Sequence, residues 1–145
     1  MKITIKKISA EEEDEVIIRC HHLSPNMMRV IAALEAQNVT LTVYDGTEIF
    51  RLEPEDVFYI ESVDKKTFVY SEDRVFESKS RLYEMEEVLR QHDFFRASRS
   101  MLVNLRRVHS FSTAVAGRFE AIMQNDEKII ISRWYVNELK KFLKI

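Results

Sequence analysis

Arginine side chains and one asparagine alternate with apolar residues in the stretch FFRASRSMLVNLRRV, which covers residues 94–108. Apolar residues at this density must be buried, so the stretch predicts a rigid platform that holds polar groups at its surface. The guanidinium groups of Arg96 and Arg99 could bind phosphates, and the amide of Asn104 could pair with the edge of a base. An ordinary basic surface, with Asn104 as a turn-capping amide, explains the same residues.

The formal net charge of −2 is distributed unevenly along the 145 residues. Residues 1–45 carry −2, residues 46–95 carry −6, and residues 96–145 carry +6. A polyanion responds to the charge within a Debye length, about 8–10 Å, so the basic last third is compatible with nucleic acid. The alternative is that the charges form two solvated faces that attract one another.

Residues that could carry catalysis or hold a metal show no supporting pattern. No two of His21, His22, His92 and His109 have the spacing of a helical metal pair. Cys20 and His22 lie two apart and lack the third group of a supported nucleophilic site. Two glycines leave no room for a Gly-rich phosphate loop. We therefore expect no enzymatic activity, cofactor, metal or small-molecule substrate.

The cysteine content and the apolar runs indicate the compartment. Cys20 is the single cysteine, permits no internal disulfide, and is expected to be a core thiol. The apolar runs are too short to cross a bilayer, and the N-terminus lacks the apolar core of a signal peptide. The expected location is the cytoplasm.

Four elements are predicted before residue 47. Alternating residues predict strands at 3–8 and 15–20, with the acidic run 11–15 between them as a solvated turn. Ser24-Pro25 predicts the start of a helix that ends near Asn38 and buries an apolar stripe. The fourth element is a strand at residues 39–44.

A period of two continues over most of the remaining chain. Asp45-Gly46 is predicted to form a two-residue type I′ turn. Helices are predicted over residues 80–91 and from Ser132 onward. Further strands are predicted at 47–53, 56–63, 67–71, 74–78, 95–97, 108–112, 118–123 and 128–131. About ten short strands and two or three helices indicate an α+β fold that is mainly antiparallel β with peripheral helices.

Four motifs, in order, resemble the LytTR family of bacterial DNA-binding domains. They are DVFYIES at 56–62, LxxMExVL at 82–89, RASRSMLVN at 96–104 and ISRWY at 131–135. The resemblance implies an elongated, LytTR-like antiparallel β fold of about ten short strands in three sheets. It also implies that loops, rather than a recognition helix, enter successive major grooves of DNA.

The resemblance implies DNA contacts from the loop Asp64 to Thr67, from Asn104, from Arg133 at the start of the last helix, and from a basic pair. Arg96 and Arg99 match that pair and are assigned to phosphate contact or to holding the loop. Arg133 has a surface ion pair with Glu138 as its alternative. Trp134 is expected to pack against the sheet, with contact to a sugar as its alternative. The predicted DNA-binding residues are Lys65, Lys66, Thr67, Arg96, Arg99, Asn104, Lys128 and Arg133.

The extent of the resemblance predicts two parts. Residues 1–46 are expected to form a small N-terminal β-α appendage, too short for a phosphorylatable receiver, that serves dimerisation or a partner protein. Residues 47–145 are expected to form the DNA-binding domain.

The leading functional interpretation is a sequence-specific transcriptional regulator that binds promoter repeats in double-stranded DNA as a homodimer. The resemblance also implies a membrane-protein partner. The alternative is a protein-interaction or signalling module that keeps the β scaffold without reading DNA.

Overall fold

The computed structural model describes residues 1–35 and 39–145. Within them lie three helices: α1 (Pro25–Glu35), α2 (Leu82–Val88) and α3 (Val136–Leu143). The described strands number ten: β1 (Leu41–Asp45), β2 (Glu48–Leu52), β3 (Tyr59–Val63), β4 (Lys66–Tyr70), β5 (Val75–Ser78), β6 (Phe94–Ser98), β7 (Met101–Asn104), β8 (Val108–Thr113), β9 (Phe119–Met123) and β10 (Lys128–Ile131). The predicted α+β fold, mainly antiparallel β with peripheral helices, is confirmed. None of the described helices is long and apolar enough to span a membrane.

The described strands form two antiparallel sheets. Seven strands lie in the order β2-β1-β5-β4-β3-β7-β6, and three lie in the order β10-β9-β8. The resemblance predicted three sheets, which is wrong for the described residues. The β1–β2 hairpin joins the large sheet because Tyr44 of β1 pairs with Glu77 of β5.

Each face of the seven-stranded sheet packs against its own hydrophobic core. On one face, Leu102 and Ile60 pack with Leu82 and Met85 of α2. On the other face, Val103 belongs to the cluster that contains the three-stranded sheet and α3. Adjacent residues of β7 thus point to opposite faces, as the alternation of a strand requires. The sheet is buried on both sides at its centre, which makes it a stiff support for the turns at its ends.

The N-terminal segment differs from its prediction. Residues 1–24 form no strand, so the strands predicted at 3–8 and 15–20 are wrong. Their alternating pattern is real, but a strand needs a neighbouring strand for its backbone hydrogen bonds, and no other described residues pair with these. Cys20 is exposed and is therefore not a core thiol.

Helix α1 forms where it was predicted, although its apolar stripe is not buried. It starts at Pro25, as expected, and none of its residues is buried. Val30, for example, is 44% exposed. The predicted helix end near Asn38 lies outside the described residues. The sheet itself begins at Leu41, and the division of the chain at residue 46 stays a prediction.

The β1–β2 turn is shifted by one residue from its prediction. Asp45 pairs with Glu48, so the two turn residues are Gly46 and Thr47. Of these two, Gly46 alone has a positive φ, +61°. A type I′ turn needs positive φ at both positions, whereas glycine at the first position is typical of type II′.

The two-residue turn that joins β3 to β4 differs in its backbone conformation from the β1–β2 turn. Val63 pairs with Lys66, and the turn residues Asp64 and Lys65 have φ values of +50° and +67°. Positive φ at both positions is the pattern of a type I′ turn. A lysine in this left-handed region is strained, because its Cβ approaches the following carbonyl oxygen. The fold therefore holds Lys65 at a position that favours glycine.

Two elements near the predicted platform also differ from the sequence prediction. Strand β7 was not predicted, although its residues were expected to be buried. The last helix does not begin directly at Ser132: a 3₁₀ turn, Arg133–Tyr135, precedes α3.

Replacing Lys65 by glycine tests the strained turn. We expect Lys65→Gly to raise the free energy of unfolding by about 1 kcal/mol, because it removes the left-handed strain. Lys66→Gly is the matched control: this neighbour lies in β4, where glycine lowers stability by about 0.5–1 kcal/mol. Urea denaturation measures both. Equal losses in the two variants would show that Lys65 is not strained.

Candidate nucleic-acid interface

Several turns meet at one end of the seven-stranded sheet. The backbone N–H of Ser62 donates to the carbonyl oxygen of Ser100 at 2.8 Å, which places the β6–β7 turn beside the β3–β4 turn. The N–H of Ser132 donates to the carbonyl oxygen of Ala97 at 2.8 Å and brings in the residues before α3. Since Ser78 pairs with Thr67, the chain leaves β5 at this same end. We call the surface of residues 64–66, 79–81, 98–100 and 132–134 the basic end.

The basic end carries cations without acidic partners. Six exposed cationic side chains lie here: Lys65, Lys66, Lys79, Arg81, Arg99 and Arg133. Among the described residues, none of the six forms an ion pair within 4.0 Å. The described ion pairs elsewhere do consume cations: Arg74–Asp45, Arg90–Glu87, Arg106–Asp93 and Lys128–Glu120. These six cations outnumber Asp64, the acidic residue of the same ranges, and create a positive field that favours an anion.

Arg96 supports this surface from below. Its side chain is 20% exposed, and its Nε donates to Glu86 Oε2 at 2.8 Å. Its Nη1 donates to the carbonyl oxygen of Arg99 at 2.7 Å. Because Arg96 is engaged on both sides, the loop-holding alternative fits it better than phosphate contact. It fixes the turn that presents Arg99.

An open groove of about 440 Å³ connects Arg99 to the start of α2. Ser62, Arg81, Tyr83, Arg96 and Arg99 line it together with Leu82. The guanidinium groups of Arg81 and Arg99 on this groove give donors that suit phosphate oxygens, while Arg96 holds the turn beside them.

Asn104 lies at the other end of β7 and is 1% exposed. Its Nδ2 donates to the carbonyl oxygens of Val57 at 2.9 Å and Pro54 at 3.3 Å. Its Oδ1 accepts the N–H of Arg106 at 3.0 Å and caps the turn that follows. Both amide hydrogens are used inside the protein. In this structure Asn104 is the turn cap that the alternative describes, and its contact with a base edge stays a prediction.

Thr67 is also removed from the predicted contact surface. It is 3% exposed, because it lies in β4 and pairs with Ser62 on one side and Ser78 on the other. Of the predicted loop, Lys65 and Lys66 reach the surface and Thr67 does not.

Lys128 lies away from the basic end. It is the first residue of β10, whose last residue, Ile131, leads to Ser132. At about 3.4 Å per residue, these two ends of the strand are roughly 10 Å apart. Lys128 also pairs with Glu120 at 3.7 Å. It is therefore a poor candidate for a contact made jointly with Arg99.

Arg133 and Trp134 project from the 3₁₀ turn before α3. Among the described residues Arg133 makes no ion pair with Glu138, and its Cζ lies 4.9 Å from the centroid of the Trp134 ring. Trp134 is 78% exposed, so the expectation that it packs against the sheet is wrong. The reason is local: Tyr135 and Val136 take the core-facing positions and direct Trp134 outward.

The opposite end of the large sheet is acidic. A pocket of about 240 Å³ there is lined by four acidic residues, Glu55, Asp56, Glu72 and Asp73, and by one cation, Arg107. A hydrogen bond that Glu53 donates to the Glu55 carboxylate, together with the negative charge of Glu55, raises the pKa of Glu53 above its usual range. Burial, followed by the nearby Glu127 carboxylate, raises the pKa of Tyr59. This end would repel phosphates, so an approaching polyanion is oriented toward the basic end.

Lys79 and Arg81 are the basic-end cations that sequence reasoning missed. Arg81 falls within the helix predicted over 80–91, and it is the residue that precedes α2. Antiparallel pairing of the predicted strands 67–71 and 74–78 would have placed residues 79–81 beside the loop at 64–66. That signal was present in the sequence.

Comparison with known proteins identifies relatives of this fold. Residues 47–144 match the family described as the LytTr DNA-binding domain. A solved LytTr DNA-binding domain from Bacillus cereus superposes with a TM-score of 0.69 and 27% identity, covering 73% of this chain and 97% of that chain.

Two groups of curated bacterial proteins are also similar in sequence to this chain. The sensory transduction protein LytT of Bacillus cereus is 25% identical over 98% of this chain, which spans 55% of that relative's length. An uncharacterized HTH-type transcriptional regulator of Staphylococcus aureus is 26% identical, with 100% of this chain and 99% of the relative covered.

Replacing Asn104 by alanine separates a structural role from base contact. We expect Asn104→Ala to lower the free energy of unfolding by about 1–3 kcal/mol, because two buried carbonyls and one N–H lose their partner. Asn137→Ala, at an exposed position of α3, is the matched control and should change stability by less than about 0.5 kcal/mol. Urea denaturation reads both. A fully stable Asn104→Ala protein would return the amide to the list of candidate base contacts.

Proposed function

Because the chain belongs to the LytTR family of DNA-binding domains, we propose that it is a transcriptional regulator that binds duplex DNA through its basic end. The observation that carries the proposal is the group of six exposed cations without acidic partners in the described structure. Phosphates can replace their counterions without breaking an internal ion pair. The regulator relatives support the same conclusion.

The two turns at the basic end are the parts of the surface that could enter a groove. Lys65 lies at the tip of the β3–β4 turn, and Arg99 lies at the tip of the β6–β7 turn. We propose that these neighbouring turns enter one major groove together, that the same turns of a second copy enter the next major groove, and that Arg81 and Arg133 bind flanking phosphates. Since Asn104 and Thr67 are buried, base recognition falls to the tip residues, and arginine pairs best with guanine.

The N-terminal segment provides a contact for a second copy of the chain. Ile3, Ile5, Val16 and Ile17 are between 67% and 86% exposed. The segment is also self-complementary in charge, because Lys2, Lys6 and Lys7 precede the acidic run 11–15. In a symmetric antiparallel pair, the basic stretch of each copy would face the acidic run of the other. Such a homodimer would suit promoter repeats, and the membrane-protein partner implied by the resemblance is the competing occupant.

Arg133 and Lys128 provide a matched test of the binding surface. We expect Arg133→Ala to weaken duplex binding by about three- to tenfold and to reduce the slope of log K against log salt by about 0.9, the value for one lost phosphate contact. Lys128→Ala removes the same charge from outside the basic end and should leave both quantities unchanged. Fluorescence anisotropy of a labelled duplex at several salt concentrations measures them.

Two results would contradict this proposal. Equal losses in the two variants would mean that total charge, and not the basic end, attracts DNA. Absence of duplex binding at low salt would instead favour the protein-interaction module that keeps the scaffold.

Ile5 tests the proposed dimer contact. We expect Ile5→Asp to convert a dimer into a monomer, because it places a charge in an apolar contact beside the acidic run. Val115→Asp, at a position 79% exposed outside the segment, should leave the dimer intact. Sedimentation equilibrium measures the mass of each. A monomeric parent chain, or a dimeric Ile5→Asp variant, would contradict the contact.

A further inference from the structure

Trp134 is a large aromatic side chain left in water at the basic end. It is 78% exposed, and its neighbours in the chain, Tyr135 and Val136, pack into the core. Tryptophan carries a large apolar surface, and such residues are enriched where proteins contact partners. Because this ring lies beside unpaired cations, the surface suits a partner that is both anionic and partly apolar.

Arg133 occupies one face of this ring. Its Cζ lies 4.9 Å from the ring centroid, within the range of a cation–π contact. The other face remains free, and the indole N–H of Trp134 makes no hydrogen bond to any described residue. With a guanidinium on one face, the ring presents one free face, whereas insertion between two base pairs needs two. The free face suits a single apolar surface.

A deoxyribose next to a phosphate offers that surface and that charge together. We infer that Trp134 packs its free face on a deoxyribose of the DNA strand whose phosphate Arg133 binds, and that its N–H donates to a phosphate oxygen. This inference rests on the proposed function. The ring would also exclude water from the Arg133–phosphate pair, which strengthens that pair in the lower local dielectric. Because every nucleotide has the same sugar, the contact adds affinity without sequence preference.

The intrinsic fluorescence of the protein tests this contact directly, because Trp134 is the one tryptophan in the chain. An unlabelled duplex of random sequence is titrated into the protein at low salt, and anisotropy of the same duplex carrying a label is followed in parallel. The indole emission should change and saturate along the anisotropy curve. Trp134→Ala should weaken binding of the random duplex by about tenfold, whereas Trp134→Phe, which keeps an aromatic face, should lose about twofold to threefold. Circular dichroism checks that both variants fold.

The possible failures are distinguishable from one another. If anisotropy shows binding while the emission stays constant, or if Trp134→Ala binds as tightly as the parent, the inference is overturned and the proposed function stands. If Trp134→Ala weakens binding to a selected sequence but not to the random duplex, Trp134 contacts bases and not sugars. If the emission depends on protein concentration without DNA, a second copy covers the ring. If neither signal reports binding, the inference falls together with the proposed function.

Discussion

The register of the central strands β4, β3, β7 and β6 is the constraint on which the candidate interface depends. Ser62 meets Ser100 across β3 and β7, and Ala97 of β6 accepts the N–H of Ser132. These two hydrogen bonds bring three turns, distant in sequence, to one end of the sheet. Because the side-chain period of a strand is two, a slip by one residue would exchange the two buried faces and separate the turns. The cores on both faces therefore also fix the position of the surface cations.

The same topology separates charge between the two ends of the sheet. In an antiparallel arrangement, alternate turns lie at opposite ends, so neighbouring stretches of sequence contribute to different surfaces. The turn at residues 64–65 lies at the basic end, whereas Glu72 and Asp73 line the acidic pocket at the other. A net charge of −2 thus describes neither end. For a charged ligand within a Debye length, the charge of the nearer end determines whether the ligand is attracted or repelled.

Local patterns predicted most of the described strands, since alternation reports which residues share a face of a half-buried strand. The same reasoning failed where the outcome depended on distant residues. The strands at 3–8 and 15–20 alternate well, yet no described strand pairs with them. Strand β7 was missed because Leu102 and Val103 are both buried, one on each face, which hides the alternation.

Some of the predicted site residues lie at the basic end and others do not, for similar reasons. Lys65, Lys66, Arg99 and Arg133 are brought together at the basic end, while Arg96 supports it. The sequence allows Asn104 either to contact a base or to cap a turn. The capping position is observed because its amide donates to the carbonyl oxygens of Pro54 and Val57, which are distant in sequence. Arg81 joins through strand pairing, which motif matching does not consider.

Mapping the DNA contact residue by residue tests the central claim most directly. Amide chemical-shift changes in the ¹⁵N-labelled protein, recorded on addition of a random-sequence duplex, report which end meets DNA. The account predicts the largest changes at residues 64–66, 79–81, 98–100 and 132–134, with little change at 53–57, 72–73 and 125–128. Changes concentrated at the acidic end, or spread evenly over both ends, would contradict it.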